Sequence, residues 1–392
     1  MTTVRLDSRS ARQVQRGLPW LYREGLKLDP PAGDVVQLTD GKSVLATALY
    51  CERGPIALRL LGAGALTFDR QLLVTRLRAA LHRRTQLDAF GRTHAYRWVH
   101  GEADGLPGLF VDRYGDVLVL QVMTQAMDAR TTLLVEALVE VARPRLIVAR
   151  NDGSARDFES LPRHKAVLHG DGSTEVTYDD AGNQVTVDVM VDGKTGGFLD
   201  QLENHAAALH YARPFAGAGG RGLDAFTYHG GFALALGRAG LGSVLALDES
   251  AAAVERARHN AKVNQLDQVT VRCVNAFDEL RRLEAAGERF DVVVIDPPAL
   301  AKRRSGDTAA ERAYKELNLR GMRLVRSDGI LVSCSCSGRL SPERFGELLV
   351  DAARDAGRAV QLLERRGAGR DHPPLLGVPE TEYLKCFIMR VL

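Results

Sequence analysis

The sequence predicts an α/β protein. Its C-terminal half reads as a doubly wound, mostly parallel sheet, preceded by a small β-barrel and a small central α/β segment. Three observations carry this reading. From about residue 220, short apolar runs at 222–226, 244–248, 269–273, 290–296 and 329–333 alternate with amphipathic stretches such as 250–264, the pattern of parallel strands covered by helices on both faces. Up to about residue 70 the apolar runs are short and punctuated by Gly and Pro, as a small barrel requires. Between the two lies a stretch in which both periods occur. The expected domains are 1–70, 71–188 and 189–392, consistent with roughly 150 residues per domain in a chain of 392.

Taken in order, 34–39 and 44–50 read as strands split by Asp40-Gly41, a strong two-residue hairpin signal, and 56–61 as a third strand. Residues 71–86 place Leu72, Leu73, Leu77 and Ala80 at helical spacing with Arg side chains on the other face. Strands follow at 109–112 and 117–122, then a helix near 129–142 and a strand at 146–149. The turn at 179–183 precedes a strand at 185–189, and 383–392 reads as a terminal strand that closes the sheet edge.

Composition excludes several classes. Hydrophobic residues make up 45% and charged residues 26% of the chain, so it is neither a disordered chain nor a collagen-like repeat. No apolar run approaches the roughly 20 residues of a membrane-spanning helix. The N-terminus, with Arg5, Asp7, Arg9 and Arg12, lacks the apolar centre of a secretory signal. A cytoplasmic location is therefore expected, with no membrane partner. The five cysteines (Cys51, Cys273, Cys334, Cys336, Cys386) are odd in number and scattered, which fits neither a disulfide framework nor a zinc site; no metal is expected. Net charge is only +3, yet residues 1–100 hold 16 Lys plus Arg against 8 Asp plus Glu. A basic N-terminal part suits a polyanionic partner. Only 8 of the 52 basic residues are Lys, so an Arg-rich coding bias is the competing explanation.

In a doubly wound sheet the ligand lies outside the carboxyl ends of the strands, where strand order reverses. The run Gly217-Ala218-Gly219-Gly220-Arg221-Gly222 matches a dinucleotide glycine pattern literally. It precedes the first strand instead of following it, so it reads as an approach loop. After that strand comes Asp224-Ala225-Phe226-Thr227-Tyr228-His229-Gly230-Gly231. A carboxylate there suits a cationic amino group, and the glycines admit close backbone approach. Asp248 ends the second strand, where a carboxylate can accept both ribose hydroxyls. Together these features favour S-adenosylmethionine over NAD. The alternative is that Asp224 and Asp248 only cap helices.

The fourth strand ends in Asp296-Pro297-Pro298-Ala299-Leu300, with prolines holding the chain extended. No aromatic residue follows to stack a base, which weakens an exocyclic-amine methylation reading. The fifth strand ends in Ser333-Cys334-Ser335-Cys336-Ser337-Gly338. A thiolate facing a methyl donor suggests covalent catalysis, because addition to C6 of a pyrimidine makes C5 nucleophilic. Buried structural cysteine is the alternative. Strand alternation puts Cys334 and Cys336 on one face if the strand continues, and does not choose between them; Gly338 and the expected loop put Cys336 nearer the crevice. Lys302 and Arg303, with Arg304, could clamp phosphates or be solvated. Tyr314 and Asn318 could face the substrate or pack in the core. Trp20 could stack on a base or fill the barrel.

These motifs, with Gly17-Leu18-Pro19-Trp20, 101–109, Asp112-Arg113-Tyr114, Lys194-Thr195-Gly196-Gly197-Phe198-Leu199-Asp200-Gln201, Asp371-His372-Pro373 and Tyr383-Leu384-Lys385, make the chain resemble the bacterial ribosomal RNA large-subunit cytosine-C5 methyltransferases over essentially its whole length. That family combines a PUA domain, a small α/β domain and a Rossmann-like class I methyltransferase domain. The resemblance implies 5-methylcytosine formation in 23S rRNA with Cys336 as nucleophile and Asp296 at the cytosine edge. It implies S-adenosylmethionine held around Lys194, Thr195, Phe198, Gln201, Asp224, Phe226, Tyr228, Gly230, Asp248, Asn275 and Asp296. RNA contacts are expected from Trp20, Lys302, Arg303 and Tyr314. The expected partner is large-subunit rRNA or its precursor; a homodimer is considered as well, and the modified nucleotide is left open. Asn275 stands where the family usually has Asp beside the adenine, and its amide oxygen remains able to accept from the adenine amino group. Leu202 and His205 replace frequent arginines, and Leu300 a frequent aromatic.

Overall fold

A computed structural model describes residues 2–87, 94–216, 219–300 and 307–392. The chain forms two compact units, Met1–Tyr178 with Val187–Leu199 and Arg370–Val378, and Asp179–Thr186 with Asp200–Gly369 and Pro379–Leu392. The boundary between the two units is interleaved along the chain.

In the first unit, β1 (Thr2–Arg5), β2 (Trp20–Tyr22), β3 (Val35–Thr39), β4 (Val44–Tyr50) and β5 (Ile56–Ala63) form a sheet ordered β1-β3-β4-β5-β2. The β3–β4 turn is built on Asp40, whose carboxylate accepts from the backbone N–H of Lys42 and Ser43; it is longer than the two-residue turn expected. Helix α1 (Ser8–Gln15), capped by Asp7, packs Ala11 and Val14 into this core with Leu21, Leu38 and Leu58. A second sheet runs β10-β9-β8-β7-β6, from β6 (Ala95–His100), β7 (Leu109–Tyr114), β8 (Val117–Val122), β9 (Leu146–Asn151) and β10 (His164–Gly170). Against it pack α2 (Arg70–Thr85), which buries the predicted Leu73, Leu77 and Ala80, and α3 (Thr131–Ala142).

Buried ion pairs explain why two later segments belong to this unit. Arg84 forks onto Asp104 at 2.8 Å and donates to the Asp371 carbonyl at 2.9 Å. Arg97 binds Asp112 at 2.5 and 2.9 Å, and the Thr195 hydroxyl donates to the same carboxylate at 2.6 Å. Burial alone would raise the Asp112 pKa, but Arg97 holds it below the usual carboxylate value. Such groups are costly to bury unless paired, so the network selects one arrangement of 187–199 and 370–378.

A hairpin of β11 (Glu175–Asp180) and β12 (Asn183–Asp188) turns at Ala181 and Gly182, with φ of 53° and 84°, the left-handed pair of a tight hairpin. The second unit is built on seven strands: β13 (Arg221–Ala225), β14 (Ser243–Asp248), β15 (Val269–Cys273), β16 (Phe290–Ile295), β17 (Val325–Ser335), β18 (Val360–Arg366) and β19 (Lys385–Val391). Their order is β15-β14-β13-β16-β17-β19-β18, with only β19 antiparallel to its neighbours. The order reverses between β13 and β16, the switch point where such sheets bind ligands.

Both faces are covered. Leu223, Val293, Ile295 and Leu331 pack with Leu317 and Phe345 from α8 (Asp307–Leu324) and α9 (Pro342–Ala356). Val292, Val294, Val332 and Cys334 pack with Ala208, Phe232 and Val254 from α4 (Leu202–Ala212), α5 (Gly231–Arg238) and α6 (Ala251–Val263). The last strand does not close the edge as expected. β19 lies inside, with Cys386, Phe387, Ile388 and Met389 all buried, and β18 takes the edge. An unbroken apolar run belongs in a strand covered on both sides, whereas 360–366 ends in Glu364-Arg365-Arg366 and suits an edge. Among the described residues no helix is long and apolar enough to cross a membrane.

Candidate functional site

The loop between β13 and α5 lies at the switch point. Phe226, Tyr228 and Gly230 have φ of 82°, 50° and 96°. For Phe and Tyr this left-handed backbone is strained, and such strain concentrates at functional sites. The loop is held by backbone N–H bonds from Phe226 and Thr227 to the Leu247 carbonyl and by Asp248, whose carboxylate accepts from Tyr228 N and Ser250 N, both at 2.9 Å. Asp248 thus clamps the loops after β13 and β14 together.

Asp224 is fully buried. Its Oδ2 accepts from the Thr227 hydroxyl at 2.6 Å and Ala233 N at 3.0 Å, while Oδ1 is buried with no hydrogen-bond partner. Burial pushes its pKa up to about 7, helped by the nearby Asp296. A buried carboxylate oxygen whose lone pairs accept no hydrogen bond is what a cationic ligand would complete. The capping alternative is therefore met by one oxygen only.

Gln201 bridges to the second part of the site. Its amide nitrogen donates to Asp296 at 2.9 Å, and its oxygen accepts from Asn204 at 2.6 Å. His205, on α4, lies against Phe232 and shares a 2.7 Å bond with Asp180. Burial disfavours its charged ring, but Asp180, with Asp296 and Asp224 near, raises the pKa. A Cβ on Gly231 would collide with this ring, so glycine is required there.

Asp296 directly follows β16, and the chain then runs through Pro297. Cys336 stands one residue beyond β17, half-buried, with Sγ 3.9 Å from the Pro297 carbonyl. Cys334 is different. It faces the α4 and α5 side inside the sheet, fully buried opposite Cys386, and burial raises its pKa well above the ordinary thiol. Lys385 begins β19 opposite Ser335 and is 1% exposed; its Nζ donates to the Ser337 carbonyl at 2.5 Å and the Tyr383 carbonyl at 2.8 Å.

The remaining expected residues divide by location. Asn275 caps α7 (Ala276–Ala285), its Oδ1 accepting from Phe277 N and Asp278 N and its Nδ2 donating to Glu249. The oxygen expected at an adenine is thus engaged by the helix. Tyr314, at 1% exposure, packs edge-on against Phe345 as the core alternative has it, while its hydroxyl lies close enough to Cys336 and Asp296 to feel their charge. Asn318 is buried likewise and accepts from Ser333. In the first unit, the Trp20 indole donates to Glu102 at 2.7 Å and its ring faces Arg59. Lys194 is exposed, with Nζ 4.0 Å from the Phe198 ring centre, and Thr195 is buried on Asp112. Lys302, Arg303, Gly217 and Ala218 lie outside the described residues. Lys385 and Asp180 were given no role in the site from sequence. Only Lys385 had a signal, the Tyr-Leu-Lys pattern, and nothing in the sequence placed it beside the cysteine loop.

Comparison with known proteins agrees with this geometry. A family model described as S-adenosylmethionine-dependent methyltransferase matches residues 166–390, and one described as a PUA-like domain matches 4–62. Two solved chains cover 100% of this chain and of themselves at 18% identity: a methyltransferase complexed with SAH, TM-score 0.85, and a SAM-dependent methyltransferase from Streptococcus mutans, TM-score 0.84. At that identity they speak for the fold alone. Sheet, loop and domain matches together define a methyltransferase that uses S-adenosylmethionine and carries an N-terminal PUA-like domain. Ribosomal RNA large subunit methyltransferase I of Tolumonas auensis is 34% identical over 405 residues, covering 100% of both chains, and that of Photobacterium profundum is 35% identical over 401 residues, covering 98% of each. The chain belongs to the ribosomal RNA large subunit methyltransferase I family.

Proposed function

We propose that this chain methylates C5 of a cytosine in large-subunit (23S) ribosomal RNA, in the cytoplasm, through a covalent bond from Cys336 to C6. The observation that carries the reading is a half-buried thiol, not in a disulfide, just past the end of β17 and next to the Asp296-Pro297 turn at the switch point. The relatives' names supply the RNA class.

Bound S-adenosylmethionine supplies an electrophilic methyl group. Asp224 is suited to its cationic end through the unpartnered Oδ1, and the left-handed loop 226–230 gives it close backbone approach. Cys336 loses its proton to solvent, and the thiolate forms the sulfur–C6 bond while the C5–C6 π electrons move toward C5. The ring takes up a proton from solvent as the adduct forms, and Asp296, held by Gln201, accepts a hydrogen bond from the ring edge and stabilises that protonated adduct. C5 takes the methyl group, and S-adenosylhomocysteine leaves with the electron pair of the broken bond. Loss of the C5 proton then expels the thiolate and restores the ring.

RNA containing 5-fluorocytosine tests this, because fluorine cannot leave as a cation and the adduct persists. Incubated with the methyl donor, wild type is expected to migrate as a covalent complex, Cys336→Ala to form none and lose methyl transfer, and Cys334→Ala to retain both. A trap formed only with 5-fluorouridine would move the reading to uridine. Full activity in Cys336→Ala would point instead to an exocyclic amine and overturn the mechanism.

A further inference from the structure

We infer that Lys385 is a positioning residue for the reaction: its buried ammonium braces the backbone on the C-terminal side of Cys336 and supplies the positive charge against which that thiol ionises. The inference deepens the proposed function and rests on Cys336 as nucleophile.

Three observations meet here. Lys385 is 1% exposed although lysine is almost never fully buried without a partner. Its hydrogen-bond partners are neutral carbonyls, those of Ser337 and Tyr383, and among the described residues no carboxylate lies within ion-pair distance of Nζ. Two of its three protons are thus directed at the backbone around the nucleophile and none at a counter-ion. The Ser337 carbonyl belongs to the residue following Cys336, so the bond fixes the turn from which Sγ projects. A buried cation without a carboxylate stabilises any anion that forms next to it.

The charges facing this pair are few. Burial lowers the Lys385 pKa to about 8, while a Cys336 thiolate, and to a smaller extent Glu382, raise it. Coupling between two sites is reciprocal, so Lys385 lowers the thiol pKa by the same interaction. Asp296, at the end of β16, acts in the opposite sense. Tyr314, on α8, has its pKa raised to about 12 by burial and stays neutral. Near neutral pH Lys385 is mostly protonated and is the cation of the set.

The test reads ionisation directly. Iodoacetamide labelling of the full-length protein is followed across pH by mass spectrometry of the Cys336 and Cys273 peptides. Cys273 is an exposed thiol on β15 and serves as internal reference. Wild-type Cys336 is expected to reach half-maximal labelling below Cys273. In Lys385→Met its midpoint should rise by about one to two pH units, slowing labelling at pH 7 about tenfold or more, with Cys273 unchanged. Lys385→Arg should restore most of the shift, and methyl transfer by Lys385→Met should recover toward pH 9, which lost packing would not produce. Superimposable wild-type and Lys385→Met profiles would overturn the inference. If Lys385→Met does not fold, wild type alone decides: a Cys336 midpoint at or above that of Cys273 overturns it. Activity surviving in Cys336→Ala would sink the nucleophile assignment while leaving the labelling shift intact, so the two failures are distinguishable.

Discussion

A single carboxylate illustrates how burial converts into ligand dependence. Asp224 has a pKa near 7 in the folded chain because burial opposes its charge, whereas unfolded it titrates near 3.8. The raised value means its contribution to stability is fully present below about pH 4 and is lost as pH rises through 7. Binding follows the opposite sign, because a cationic ligand requires the ionised form and must displace a proton below pH 7. Affinity for S-adenosylmethionine, followed by calorimetry, is expected to climb between pH 5.5 and 7 and then level off. Asp224→Asn keeps an acceptor for Thr227 and Ala233 but cannot ionise. It should bind about 10- to 100-fold more weakly at pH 8, with no pH dependence, while melting at or above the wild-type temperature. Wild-type affinity that is flat over this range would remove Asp224 from the cofactor site.

At the scale of elements, one residue can serve helix and ligand in ways that substitution separates. Asn275 caps α7 through its oxygen, so Asn275→Ala should cost about 1 kcal/mol in denaturant titration. Asp is an equally good cap and adds favourable charge at a helix N-terminus, so Asn275→Asp should leave stability unchanged. Any change that it causes in cofactor affinity then reads adenine recognition apart from folding; unchanged affinity would argue against a ligand role at 275. What the sequence made legible follows the same division. The parallel strands, α2 and the cysteine turn were readable because apolar period, Gly-Gly and Pro-Pro are local signals. The inner position of β19 was not, since strand order depends on pairings between segments distant along the chain, and β18 hid its pattern behind Glu364, Arg365 and Arg366. Tyr314 and Asn318 stay open between substrate and core in the sequence because helical spacing does not say which side of a helix meets the sheet. Lys385 meets Ser337, and Thr195 meets Asp112, across 48 and 83 residues; neither contact has a local trace.

Over the molecule as a whole, net charge is small but its distribution is not. The excess of basic residues within the first hundred is displayed in part on one short stretch: Arg5, Arg9, Arg12 and Arg16 are all exposed, on or beside β1 and α1 in the PUA-like domain. Exposed arginines contribute little to folding, so their substitution should leave the melting temperature nearly unchanged. Phosphate contacts, by contrast, release counter-ions and impose a linear fall of log affinity with log salt, about 0.7 to 0.9 for each phosphate neutralised. If this stretch grips ribosomal RNA, the triple variant Arg9→Ala, Arg12→Ala, Arg16→Ala should bind an rRNA fragment more weakly at low salt. Its salt slope should be shallower by about two to three. Filter binding from 50 to 200 mM salt, with wild type in parallel, reads both quantities. The sign of charge predicts a further pattern: the loss should be similar across RNA sequences, because phosphate contacts orient without reading bases. An unchanged slope would return the arginine excess to coding bias and shift the search for the RNA-gripping surface elsewhere in the chain.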